Sequence, residues 1–450
     1  MAQAAAPGGA GLWDAGGLGV RAGGAGLPPG GGRAAQRAHP LEPGRGPARA
    51  RPQRAADRAP FLPGPPGHPG GFGGGERLLP PGHRHRPGGG GAGRGGPAAV
   101  TREDCLLCLC ARQEFLPEHR QVVEDLCRGG AVRWDRLAAA AERQGVLPIV
   151  GANLRQCDAG LPEELAARCE LAVLENAAVR ERDADRLAAG LARLLEVELE
   201  AMLLKGTALT LAVYAEPWVV TSQDIDLVLR PGPGWEKGKG EEKKVRWALY
   251  SNGVECDLET HHDVTMNGVL PVDFPRIWRE ARPVRFRGVP VWMMSPEDLL
   301  ISLAVNCCRK RFRLKGLFDV AETLQRGEKI GEAIDWLRLG ALAREGHCEG
   351  IVYAALVAAR EALGAGLPAG SLEALGVSRV RAGLLRSLLT AFLSAAPFTG
   401  RAGRPLALAL AYASLRPAEA WRSFRYSLTH PPRHRREDPH APAQAVVAGP

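Results

Sequence analysis

Large flat side chains are scarce. Phe, Trp and Tyr together make up 5% of the 450 residues, and basic and aromatic residues are nowhere interleaved. This excludes a surface that holds single-stranded nucleic acid by stacking bases on rings. Lysine is scarce too, with 8 against 50 arginines, and four of the eight fall at 237, 239, 243 and 244. No stretch reaches the ~18 uncharged apolar residues of a membrane span, the longest apolar run being Pro405 to Leu415. A basic segment followed by a continuous apolar one is missing at the start, so no export signal is read. The ten cysteines are accordingly expected to be reduced thiols in a cytoplasmic protein.

What is abundant is unevenly spread. Residues 1–100 hold 29 of the 57 Gly and 16 of the 36 Pro, and 12 Arg against 4 acids. Such a segment cannot bury enough apolar surface to offset chain entropy, so it is expected to be disordered. The net charge of +9 is carried by this leader and the tail at 431–450, which leaves about zero for residues 101–430. The high pI therefore does not argue that the folded part binds nucleic acid, which is expected at most through the basic tails. Three regimes are expected between the tails: a helical segment over 101–198, a sheet core over 199–294 and a second helical segment over 295–430. Together they predict an α+β fold, a small mixed sheet framed by helices.

Local signals support those boundaries. Leu, Ala and Val recur at three and four from Glu163 to Leu195, and Leu161-Pro162-Glu163-Glu164 reads as a helix start. Ser295-Pro296-Glu297-Asp298 reads as another, with a cap and an acidic first turn. In between, Met202 to Leu204, Ile225 to Leu229, Val245 to Tyr250, Val254 to Leu258 and Val284 to Val291 read as short strands, with a helix over 207–213. Cys105, Cys108 and Cys110 sit among leucines and read as buried small hydrophobes rather than metal ligands.

The chemistry concentrates in the sheet core. Asp224-Ile225-Asp226 alternates along a strand, which places both carboxylates on one face about 7 Å apart at the backbone. Like charges so placed need a cation or solvent, and Mg²⁺ or Mn²⁺ bridging to phosphates uses them best. Asp257 supplies a third acid on a later strand. Upstream, Leu203-Leu204-Lys205-Gly206-Thr207 runs from a strand into a helix, where Gly206 lets backbone N–H groups approach a phosphate. Lys205 could neutralise a phosphate as a compact charge, and Ser222 could donate to one. An Asp-apolar-Asp triplet alone is more often a solvated strand end; the order of strand, turn, helix, acid pair and third acid favours a phosphoryl-transfer site.

These strings resemble the uncharacterised nucleotidyltransferase family of the DNA polymerase beta superfamily. The resemblance rests on Leu204 to Leu209, Asp224 to Val228, Cys256-Asp257-Leu258 and Ser295 to Leu300, with Trp134-Asp135, Gly145 to Pro148 and Arg313 to Ala321 also similar. It extends over about residues 101–430. It implies a polymerase-beta type of sheet, Gly206 and Thr207 as the phosphate turn, and Asp224, Asp226 and Asp257 as ligands of two metal ions. The implied reaction is transfer of a nucleoside monophosphate from a nucleoside triphosphate to an acceptor, a small molecule or a protein side chain. Val220, Gln223 and Glu259 depart from the family pattern, and the alternative they leave open is an inactive nucleotide-binding or protein-interaction module with the same fold.

Overall fold

The computed structural model describes residues 100–196, 198–216, 218–219, 225–230, 257–258, 269–326 and 333–429, with backbone only at 257–258, 326 and 428. All of them belong to the unit formed by residues 71–450. The leader to residue 99, the tail from 430 and the strand expected over 245–250 lie outside the described residues.

The first helical segment comprises α1 (Arg102–Cys110), α2 (Pro117–Arg128), α3 (Trp134–Gln144), α4 (Leu147–Leu154) and α5 (Glu163–Glu196). Helix α1 starts because the Thr101 hydroxyl accepts the Asp104 N–H at 3.2 Å. It is buried along nearly its whole length, and Cys105, Cys108 and Cys110 are indeed interior side chains. Burial pushes the Cys105 thiol up to about 12, so it is inert as a nucleophile. Helix α5, 34 residues and roughly 51 Å long, carries α4 on its flank. The two backbones touch closely at Gly151, where a Cβ would stand 2.5 Å from that of Cys169.

Five strands follow in the order β3-β2-β1-β5-β4. They are β1 (Ala201–Leu203), β2 (Asp226–Leu229), β3 (Asp257–Leu258), β4 (Arg282–Phe286) and β5 (Val289–Met293), with α6 (Lys205–Ala212) after β1 and α7 (Phe274–Glu280) before β4. The sheet is mixed, as expected: β1 pairs antiparallel with β2 and parallel with β5, and β2 pairs parallel with β3.

One expectation is corrected. Val284 to Val291 is not a single strand but a hairpin, because Arg287 and Gly288 both take positive φ, 47° and 83°. Two such residues in a row make the tight turn whose twist matches antiparallel strands. Arg287 is held in that unfavourable conformation by Glu181 at 2.7 Å and by Asp185, both on α5.

The second helical segment contains α8 (Pro296–Arg309), α9 (Leu314–Arg326), α10 (Trp336–Glu345), α11 (Glu349–Leu363), α12 (Ser371–Ala374), α13 (Arg379–Ser394), α14 (Gly403–Ser414) and α15 (Pro417–Thr429). Apolar on almost every side, α11 is surrounded by α8, α9, α13 and α14. No helix among the described residues is long and apolar enough to cross a membrane.

Candidate active site

Strand β1 is buried at every position, and the chain leaves it through Leu204, which is extended at φ −120° and ψ 163°. Lys205 then takes φ 44° and α6 begins. Leu204 still belongs to the sheet at this point, since its N–H donates to the Asp226 carbonyl at 3.1 Å. The first turn of α6 therefore starts directly beside the first residue of β2. Gly206 and Thr207 are its second and third residues and both are buried. The expected strand-to-helix turn is present, and α6 begins two residues earlier than the sequence pattern suggests.

Asp226 is 5% exposed and lies opposite Asp257 in the parallel pairing of β2 and β3. Register partners on neighbouring strands sit about 4.8 Å apart at the backbone. Two of the three predicted carboxylate positions are thus brought side by side by the hydrogen-bond ladder itself. The ammonium group of Lys205 lies 3.3 Å from Asp226 Oδ1, so a cation already faces one of the acids. Asp224 and Ser222 lie outside the described residues. Among the described residues no group of three or more His, Cys, Asp and Glu side chains is placed to hold a metal ion.

Sequence reasoning missed what holds the far end of α6. Two residues beyond that helix, Tyr214 donates to the buried Asp319 on α9, and Lys315 reaches the same carboxylate at 2.8 Å. Burial and the Asp319 charge push the Tyr214 phenol well above its usual range, so it remains a donor. The neighbouring Ala215 N–H donates to the Gln113 side chain at 2.7 Å, and Gln113 donates twice to Glu322. Apart from the Lys315–Asp319 pair, four residues apart on α9, no local signal could have found these contacts, which join positions more than a hundred apart in the chain.

The later strings that look like the family's have supporting rather than catalytic surroundings. The Ser295 hydroxyl caps α8 by accepting the Asp298 N–H at 3.2 Å, and Asp298 receives both arms of Arg276 at 2.7 and 3.1 Å. Glu297 accepts the Asp335 N–H at 2.9 Å and so fixes the start of α10. These groups clamp α7, α8 and α10 together, and α8 begins three residues beyond β5.

A family model described as uncharacterised nucleotidyltransferase matches residues 130–364, just over half of the chain. The chain belongs to the uncharacterised nucleotidyltransferase family. The match starts just ahead of α3 and ends with α11, so it contains the whole sheet, the turn and the acids, and is narrower than the 101–430 over which the sequence resembles the family. No curated protein and no solved structure matches the chain. Membership makes this a nucleotidyltransferase-like protein, for which a nucleotide is the implied substrate.

Proposed function

We propose that the protein transfers a nucleoside monophosphate from a nucleoside triphosphate to an acceptor hydroxyl or phosphate, where the start of α6 lies beside the starts of β2 and β3. The observation that carries this reading is the register of Asp226 against Asp257, next to the buried Gly206 and Thr207. Backbone N–H groups of the first α6 turn would receive the triphosphate, helped by the positive end of the helix. Gly206 leaves room for that approach, and Thr207 adds a hydroxyl donor. Lys205 would move from Asp226 to a phosphate oxygen as the nucleotide enters.

The hard oxygen donors of Asp226 and Asp257, with Asp224, suit Mg²⁺ or Mn²⁺, which when bound would neutralise triphosphate charge and acidify the acceptor hydroxyl. In the reaction the acceptor oxygen bonds to the α-phosphorus, the bond from that phosphorus to the bridging β-oxygen breaks, and pyrophosphate leaves. The chain's own part is to fix the triphosphate in line with the acceptor and to surround it with fixed dipoles.

Incubation of the purified protein with each labelled nucleoside triphosphate and Mg²⁺ or Mn²⁺ tests this. Pyrophosphate release or labelling of an acceptor, the protein itself included, is the expected result. The second reading, an inactive module that keeps the fold, is favoured by the Lys205–Asp226 ion pair, because an ammonium group there supplies internally the charge a metal would bring. Under that reading nucleotide binds without metal and no pyrophosphate appears.

A further inference from the structure

Away from the sheet, a cavity of about 360 Å³ opens where the ends of α3, α8, α9 and α14 converge. Its polar rim is basic: Arg143, Lys310, Arg311, Arg313 and Arg404 line it, and no carboxylate among the described residues does. Elsewhere in this protein arginines find acids, as at Arg276–Asp298 and Arg381–Glu349. Here Arg143, Arg311, Arg313 and Arg404 have no ion-pair or hydrogen-bond partner for their guanidinium groups among the described residues.

Of these five basic positions, Arg143 and Lys310 have an ordinary explanation, whereas Arg313 and Arg404 do not. Arg143 in the last turn of α3 and Lys310 at the end of α8 complement the negative ends of their helices. Arg313 directly precedes α9, and Arg404 is the second residue of α14. Both therefore sit at positive helix ends, and neither helix has an acid in its first turn. That is the reverse of α1, α5 and α8, whose first turns each carry two acids. An anion resting between the two helix starts would turn both repulsions into attractions.

The backbone supports the same conclusion. Arg311 and Phe312 are consecutive non-glycine residues with positive φ, 58° and 53°. Such a pair costs on the order of 1 kcal/mol or more per residue, and it persists only where the surroundings enforce it. Phe312 is anchored in the core, and the strained turn delivers the flanking Arg311 and Arg313 to the cavity rim. Gln144 completes the floor by accepting the Leu314 N–H at 2.9 Å and donating to the Phe398 carbonyl at 3.3 Å. Phe392 and Phe398, edge to face at 6.1 Å, give it an apolar wall.

We propose that this cavity is a second binding site, separate from the sheet, for an organic phosphate of nucleotide size. Planar guanidinium forks match phosphate oxygens, and four of them ask for at least two negative charges. The volume lies within the usual range for a small ligand, and the phenyl wall provides for its organic part. The site shares no residue with the turn and carboxylates at the sheet. Helix α8, 14 residues and about 21 Å long, begins three residues beyond β5 and ends at this cavity. One molecule seated on the sheet's phosphate turn therefore does not fill it. The proposal goes beyond nucleotidyl transfer and does not depend on it.

The test is equilibrium binding of ATP and of pyrophosphate to the full chain in EDTA, which removes divalent cations. The wild type should bind both, ATP more tightly, with affinity falling as salt rises. Arg313→Gln with Arg404→Gln should weaken ATP by about a hundredfold, roughly tenfold for each charge-assisted bond lost. Asp226→Asn should leave this metal-free binding unchanged, so failure of the sheet site and failure of this one are told apart. Because both arginines are exposed and unpartnered, the double variant should melt as the wild type does. Arg143→Gln provides an independent variant, expected to weaken ATP by about tenfold. The proposal is overturned if no probe binds at millimolar concentration in EDTA, if the arginine variants bind as the wild type does, or if pyrophosphate binds more tightly than ATP. It is equally overturned if a single-stranded oligonucleotide displaces ATP at lower concentration than ATP itself binds, which would make this a nucleic-acid surface.

Discussion

The buried carboxylates of the helical frame and those at the sheet edge are treated differently by the same chain. Among the described residues of the frame, each buried carboxylate meets at least one donor. Asp298 takes a two-armed Arg276, and Asp104 accepts the N–H groups of Phe398 and Thr399 at 3.0 and 3.1 Å. Glu349 sits between Arg381 and Arg416, which hold its carboxyl below the usual range although burial works the other way. At the sheet, Asp226 is just as buried, yet its register partner is another Asp. Asp226 does meet a cation, the Lys205 ammonium at 3.3 Å, but its register partner adds a second acid position that the frame acids do not have. The difference separates the acids that build this protein from the acids proposed to act.

The largest effect should come from breaking the frame. Asp298→Ala leaves the half-buried Arg276 with Glu280 as its remaining partner and removes the buried Ser295 contact, so unfolding free energy should drop by on the order of 3 kcal/mol in chemical denaturation. Gly206→Val, at the site, should instead leave the fold folded and abolish Mg²⁺-dependent triphosphate binding, a loss above roughly a hundredfold in titration calorimetry. If Asp298→Ala were silent and Gly206→Val unfolded the protein, the division between frame and site would be reversed.

Acid should also act on the frame first. Both ring nitrogens of His119 face donors, the Leu116 N–H at 3.1 Å and the Arg112 guanidinium at 2.7 Å. Burial and Arg112 push its pKa down to about 4. The folded protein therefore favours the neutral ring, so this contribution to stability is complete above about pH 6.5 and is lost as pH falls toward 4. The depressed carboxyls of Glu103, Glu349 and Glu419 act in the same direction at lower pH. Thermal melts should decline between pH 7 and 5 in the wild type and less steeply in His119→Gln. A smaller effect is expected at Thr207, whose replacement by Ala removes one donor and should weaken triphosphate by about tenfold, ~1.4 kcal/mol.

The contrast was partly legible before any coordinates. Alternation and capping signals placed the two helical segments, the Ser295 cap and the turn after β1, because these depend on neighbours in sequence. The hairpin was missed because Arg287-Gly288 lacks the usual Asn-Gly signal, and its strain is relieved by α5, a hundred residues away. The site's ingredients could be named from their order, but the meeting of Asp226 with Asp257 depends on strand register, which no local pattern encodes. Roles were harder still. Asp298 and Asp319 belong to strings that look like the family's as much as Asp226 does, and only their partners mark them as supports.

The central claim is that the sheet carboxylates hold a metal for nucleotide rather than hold the fold. It is tested most directly by comparing wild type and Asp226→Asn for the part of nucleoside triphosphate binding that requires Mg²⁺, alongside the melting of each without ligand. Relief of repulsion at Asp257 should offset the lost Lys205 pair, so the variant should melt within about 1 kcal/mol of the wild type and lose the Mg²⁺-dependent binding altogether. A variant that unfolds, beside a wild type whose binding is the same with Mg²⁺ and with EDTA, would make Asp226 one more structural acid and contradict the account.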